Sequence, residues 1–382
     1  MRKFDYQHLP NSLFDGKVGD AHVRLFEDKG KLETLEQLHP EKLATLKQRA
    51  LVDNVEASTR IEGLYVEPTR VHDLVEAALL DPAEEDATIA AAERAAEASA
   101  SDATGQTVAQ AEHHLFNNEL EGQIIGYTRA LRLIYEQYAT LDLSTATILK
   151  LYEALFSYRD LGRKSRYRKK DYIYVQVDGH PQAMPVSPIT AFETPLVLGG
   201  ACDNLAESFN AQSCSPLVLA AVFTIDFLCI RPFDEGNGRV ARLFANLLLE
   251  KAGMRVGHYM SIDRIIEESG MAYYDALNAC VDKWDTGGND YAPYVLYWFE
   301  VLHEAYEKLF AAVDLELRAG NSKAERVRLL AAQAKQPISK REILDTLGNV
   351  SEATVESVLG DMVKEGTLEK VGSGRSTKYL PR

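Results

Sequence analysis

The sequence predicts a mainly α-helical protein with one β-hairpin and a small C-terminal helix-turn-helix unit finished by a β-wing. Three observations carry that expectation. Apolar residues recur at helical spacing through most of the chain, and a single β-rich run meets an Asp-Gly turn. Over residues 323–382 the rhythm changes to helix, turn, helix and two short extended runs.

At 382 residues the chain exceeds one typical core, and three regions are expected: an N-terminal helical region at 1–114, a central helical core at 115–318 and a C-terminal unit at 319–382. Residues 38–80 read as helical, with Leu43, Leu46, Ala50 and Val55 near the helical period. The stretch from Asp81 to Gln106 is rich in Ala and Glu and nearly free of large apolar side chains, so it reads as a mobile insertion. Helical patterning returns from Leu115, and Ser144 or Thr145 is placed to cap the next helix, which ends before Gly162. Tyr172 to Val177, followed by Asp178-Gly179, predicts the hairpin.

Between Pro216 and Pro232 an apolar run predicts a helix buried on most sides. The helix after it places Val240, Leu243, Phe244, Leu247 and Leu248 on one broad face and stops at Gly253. Helices are expected to continue to about residue 318. In the C-terminal unit the second helix would present Ser351, Glu352, Thr354 and Glu356, an acidic face for a DNA groove. DNA binding and plain protein contact therefore both stay open for this winged helix.

Composition sets outer limits. No apolar run approaches the ~20 residues needed to span a bilayer, and the N-terminus lacks the apolar stretch of a secretory signal. Four widely spaced cysteines, Cys202, Cys214, Cys229 and Cys280, fit reduced thiols in a cytoplasm better than a zinc or disulfide framework. A net charge of −15 excludes a protein that coats nucleic acid with its whole surface. Residues 323–382 are the exception, with 11 basic against 8 acidic side chains.

The string from Ile230 to Arg242 carries the chemistry. It joins two apolar helices, so core packing pins it at both ends. Gly236 and Gly238 permit close backbone approach, and the helix that follows offers free N–H groups to an anion. Asn237 can donate to a phosphate oxygen, Arg239 and Arg242 suit a di- or triphosphate, and Glu235 is a hard-oxygen ligand of the kind Mg²⁺ takes. Gly236 to Ala241 also resembles part of a dinucleotide fingerprint, but a helix rather than a strand precedes it. A nucleotide is the expected ligand.

Arg231-Pro232-Phe233-Asp234-Glu235-Gly236-Asn237-Gly238-Arg239-Val240-Ala241-Arg242 resembles the Fic family signature, HPFx(D/E)GN(G/K)RxxR, at every fixed position but the first. The resemblance extends over about residues 115–310. It implies a mostly helical Fic-type core that transfers AMP from ATP, with Mg²⁺, to a hydroxyl side chain of a target protein or of the chain itself. By position, Glu235 would hold the metal, Gly236, Asn237 and Gly238 would form the anion hole, and Arg239 and Arg242 would bind phosphates. The hairpin at 172–185 would be the flap that aligns the target, and Tyr273 or Tyr274 would line the adenine pocket. A homodimer is implied as well.

Upstream, Ser58-Thr59-Arg60-Ile61-Glu62-Gly63 resembles the family's inhibitory motif, (S/T)xxxE(G/N). Ser58, Glu62 and Gly63 match its fixed positions, and Glu62 would pair with Arg242 to keep a triphosphate from its productive pose. The departure is Arg231, where a histidine general base belongs. A guanidinium, with a pKa above about 12, cannot take the proton of an attacking hydroxyl. His180, on the hairpin, is the only nearby histidine by sequence, and His258 after the motif helix is expected to be a surface or packing residue. Three functions are expected to compete: an impaired adenylyltransferase, a nucleotide-binding switch without catalysis, and a DNA-binding regulator.

Overall fold

The computed structural model describes residues 2–79, 119–158, 167–171, 189–319, 322–334, 336–347, 350–372 and 377–381. The Ala- and Glu-rich stretch, the hairpin at 172–185 and His180 lie outside the described residues. Those residues hold fourteen α-helices and one three-stranded sheet. The N-terminal helices are α1 (Gly16–Leu38), α2 (Pro40–Ile61) and α3 (Pro68–Leu79). The centre holds α4 (Glu119–Gln137), α5 (Thr145–Leu155), α6 (Thr194–Ala211), α7 (Pro216–Ile230) and α8 (Asn237–Lys251). Then come α9 (Ile262–Ser269), α10 (Met271–Ala279) and the long α11 (Ala292–Ala319). The C-terminal elements are α12 (Lys323–Gln333), β1 (Ile338–Ser339), α13 (Lys340–Leu347), α14 (Glu352–Lys364), β2 (Leu368–Val371) and β3 (Lys378–Pro381).

Helix α7 is the central rod, and every residue from Leu217 to Ile230 is buried, as its unbroken apolar run requires. Its polar members are satisfied internally. Thr224 donates to the Ala220 carbonyl, and Asp226 accepts from Tyr6, Trp284 and Tyr291. Helix α8 packs against α7 and against α4 and α5, which leaves its N-terminal turn at the junction of four helices. Gly126 lets α4 and α5 meet, since a Cβ there would lie 1.9 Å from the Leu155 carbonyl oxygen. Around this centre α1 lies along α11, and α9 lies against α2.

Residues 38–80 do not form one helix. Gly63 adopts φ +77°, its N–H reaches the Arg60 carbonyl, and Leu64 reaches Thr59, a Schellman stop that ends α2 at Ile61. Glu62 is thereby fixed as the helix C-cap. Ser144 caps α5, accepting from the Thr147 N–H, and the helix stops at Leu155, well short of Gly162. At the C-terminal end, α12, α13 and α14 enclose a second apolar cluster with Val327, Ile343, Val355 and Leu359 at its centre. Strands pair antiparallel in the order β1-β3-β2, with Ile338 opposite Tyr379 and Leu368 opposite Pro381. Among the described residues, no helix is long and apolar enough to cross a membrane.

Candidate functional site

The loop between α7 and α8 is built by the two residues that stop the first helix. Pro232 cannot continue a helix, and Arg231 before it turns to φ +47°, a left-handed conformation that costs a non-glycine residue about 1–2 kcal/mol. Arg168 holds this turn from outside. Its backbone N–H donates to the Pro232 carbonyl at 2.8 Å, its Nε donates to the Arg231 carbonyl at 2.9 Å, and its guanidinium also reaches the Ile189 carbonyl. Phe233 is fully buried and stacks on Tyr152 at 4.0 Å. Asn237 then closes the loop on itself, its Nδ2 donating to the Phe233 carbonyl at 2.8 Å while its Oδ1 accepts the Phe233 N–H at 3.0 Å. The amide expected to face a phosphate is therefore engaged in bracing the loop. Gly236 caps α8 at φ +76°, where a Cβ would lie 2.8 Å from the Phe156 ring.

Three arginines gather at the start of α8, and all are buried. Arg239 donates to the Gln123 side chain and lies 5.5 Å from the Phe156 ring centroid, while its Nε is buried with no hydrogen-bond partner among the described residues. Burial lowers its pKa, with Glu62 opposing that and Arg242 adding to it. Arg231 is likewise lowered by burial and held up by Glu62. Arg242 donates from Nη2 to the Ser58 carbonyl (3.1 Å), the Ser58 hydroxyl (2.9 Å) and Glu62 Oε1 (3.0 Å). Burial alone would lower Arg242, but Glu62 and Asp263 outweigh it and hold this guanidinium well above its ordinary value.

The carboxylate of Glu62 sits against the first turn of α8. A Cβ on Gly238 would lie 2.5 Å from Glu62 Oε1, so glycine is what allows this approach. A helix N-terminus favours an anion, and Glu62 supplies one from within the chain. Behind Arg242 lies a second carboxylate that sequence reading missed. Asp263 is 1% exposed, accepts from the Tyr127 hydroxyl at 2.6 Å and lies 3.6 Å from Arg242 Nε. Burial raises its pKa, opposed by Arg242 and Tyr127.

The structure thus brings Arg231, Gly236, Asn237, Gly238, Arg239 and Arg242 together with Ser58, Glu62 and Gly63 at one helix mouth. Tyr273 is buried against Tyr294 and Tyr297 and interacts with Arg242, while Tyr274 donates to the Ile61 carbonyl at 3.0 Å and braces the end of α2. His258 lies apart from the arginines, against Tyr135 at 4.2 Å and Glu250 at 2.8 Å, a packing role as expected. Glu235 is exposed on the loop. Among the described residues no group of three or more His, Cys, Asp or Glu could hold a metal. A single carboxylate fits Mg²⁺ all the same, because that ion commonly takes one or two carboxylates and completes its shell with phosphate oxygens and water. Gln123, Tyr127, Arg168 and Asp263 were not singled out from sequence, since each is an isolated polar residue without a local pattern.

A family model described as Fic/DOC family matches residues 142–249. A Fic family protein from Desulfovibrio desulfuricans G20 is similar in structure, with a TM-score of 0.54 at 18% identity over 98% of each chain. A Fic domain containing signaling protein from Bacteroides thetaiotaomicron VPI-5482 gives 0.51 at 15% identity, over 78% of this chain and 98% of its own. Fic-1 (residues 134–508) from C. elegans gives 0.51 at 18%, over 78% of this chain and 73% of its own. At these identities the likeness speaks to fold alone. No curated protein matches the sequence.

Proposed function

Residues 142–249 are a Fic/DOC family domain, and from that premise we propose that the chain is a protein adenylyltransferase of Fic type, held off by Glu62 and slowed by Arg231. The observation that carries this is the pairing of Glu62 with Arg242 across Gly238, at the helix mouth where a nucleotide polyphosphate would lie. An arginine engaged by a carboxylate cannot also clamp a terminal phosphate.

In the transfer itself, the oxygen of a target hydroxyl bonds to the α-phosphorus of ATP while the bond to the departing pyrophosphate breaks. The hydroxyl proton needs an acceptor. Arg231 stands at that place, and its guanidinium stays protonated at neutral pH even though burial lowers its pKa. Loss of a general base costs on the order of 10²–10⁴ in rate. Arg239 and Arg242 would bind phosphate oxygens, and Glu235 would hold Mg²⁺, which supplies charge neutralisation for the polyphosphate. Arg168, through the Arg231 and Pro232 carbonyls, fixes the loop that carries these groups. The C-terminal elements enter as a protein-contact unit, because Glu352 and Glu356 are exposed on the helix that would meet a DNA groove.

The test follows label from α-labelled ATP with Mg²⁺ onto protein, using the parent chain, Arg231→His and Arg231→His/Glu62→Ala, each with a cell lysate. Label is expected from the double variant and not from the parent. Absence of label from all three sinks transfer and leaves nucleotide sensing. Label from the parent would require a proton acceptor other than residue 231.

A further inference from the structure

Arg242 meets two carboxylates of different character, and the difference assigns them different tasks. Glu62 caps the end of a helix, its side chain is 26% exposed, and its Oε1 lies beside Gly238 at the open mouth of the site. Asp263 lies in the first turn of α9 and is 1% exposed. Its backbone N–H donates to Asn54 Oδ1 at 3.2 Å, which also accepts from the Ser261 hydroxyl at 2.9 Å, and its carboxylate accepts from Tyr127 at 2.6 Å. Helices α2 and α4 therefore lock Asp263 in place, whereas one side-chain rotation suffices to move Glu62.

Arg242 divides its donors accordingly. Its Nε donates to the Ser58 hydroxyl at 3.3 Å and lies 3.6 Å from the Asp263 carboxylate, and its Nη2 donates to Glu62 at 3.0 Å. Any polyphosphate that enters must take the place of Glu62. Once Glu62 leaves, the entering phosphates meet the Nη2 side of a guanidinium that is 3% exposed, and its orientation rests on Ser58 and on the charge of Asp263 at the Nε edge. Ser58 itself carries no charge.

We infer that Asp263 is a positioning residue: the permanent counter-charge of Arg242, which keeps that guanidinium aimed at the terminal phosphates of a nucleotide after Glu62 has been displaced. It rests on the nucleotide site proposed above. The consequence is a selectivity between nucleotides. Arg242 adds affinity for ATP that AMP, lacking β- and γ-phosphates, does not gain, and Asp263 sustains that difference.

The experiment titrates Mg²⁺-ATP and AMP into the full chain by calorimetry, in the Glu62→Ala background. That background is expected to prefer ATP. Adding Asp263→Asn is expected to shrink the ATP-over-AMP ratio about tenfold, the scale of one charge-assisted contact. Adding Tyr127→Phe instead, which frees the carboxylate without removing it, is expected to shrink the ratio less. A merely structural Asp263 would lower the melting temperature or weaken both nucleotides alike, and an unchanged ratio in a folded Asp263→Asn variant overturns the assignment. If that variant does not fold, an unchanged ratio in Tyr127→Phe overturns it. Failure of Glu62→Ala alone to bind either nucleotide would defeat the nucleotide site itself, before residue 263 is touched.

Discussion

Replacing Glu62 by alanine isolates the contact that closes the site. Alanine suits the C-cap conformation there, φ −84° and ψ 7°, and avoids the extra chain entropy of glycine. The substitution removes one charge-assisted hydrogen bond, Arg242 Nη2 to Glu62 Oε1 at 3.0 Å. Such bonds contribute about 1.5–3 kcal/mol net. Glu62 is a quarter exposed, so the lower half of that range applies, about 1.5–2 kcal/mol. A ligand that must break this bond to use Arg242 should therefore bind roughly 10–30-fold more tightly to Glu62→Ala, at about 1.4 kcal/mol per factor of ten. Stability should fall by about the same 1.5–2 kcal/mol and no more, because Ser58 and Asp263 still hold Arg242. Calorimetry with Mg²⁺-ATP reads the affinity, and AMP serves as the control that does not reach Arg242. An ATP affinity within about twofold of the parent would refute the gating role of Glu62, given how little else the substitution disturbs.

Two further substitutions or reactions test the frame that holds the site. Gly126→Ala should cost about 1–3 kcal/mol or more in urea unfolding, since its Cβ would lie 1.9 Å from the Leu155 carbonyl and only separation of α4 from α5 can relieve that; an unchanged midpoint would mean these helices pack less closely than described. The four cysteines are buried, and burial pushes Cys202, Cys214 and Cys280 up to about 12. At pH 8 a disulfide reagent should titrate none of them in the native protein and all four in denaturant, because the thiolate is the reactive form. Rapid modification of the native chain would contradict that core.

The motif loop was legible because its residues, Gly236 to Arg242, are adjacent in sequence, with apolar helices on either side to mark its place. The Glu62 motif was legible for the same reason. What sequence reading could not supply were the partners that arrive singly from other helices: Arg168 on the loop carbonyls, Gln123 on Arg239, and Tyr127 with Asp263 behind Arg242. None has a pattern, and only packing brings them near. Helix α1 fell within the expected N-terminal helical region, but its bounds escaped for a different reason. Its buried positions Val18, Ala21, Leu25, Asp28 and Leu32 keep helical spacing, but Asp28 breaks the apolar stripe. That carboxylate is buried because His303 meets it at 2.6 Å, a partner 275 residues away. The break between α2 and α3 was written in Gly63 and Pro68, yet apolar periodicity on both sides concealed it.

The exchange at residue 231 changes two properties of the site at once. In the proposed function Arg231 stands in place of the expected proton acceptor, and it adds a buried cation that feels Glu62 electrostatically. With Arg239 and Arg242 the helix mouth then holds three buried guanidinium groups against one movable carboxylate and one fixed one. Displacing Glu62 leaves an excess of two positive charges at a helix N-terminus, which already favours anions. A histidine, neutral for much of the time near pH 7, would leave less. The chemistry that slows transfer should therefore strengthen the grip on a polyphosphate. Arg231→His should weaken Mg²⁺-ATP binding in the Glu62→Ala background even as it restores labelling of a target. Tighter binding on that exchange would mean that Arg231 does not face the phosphates, and its place in the site would have to be found elsewhere than in charge.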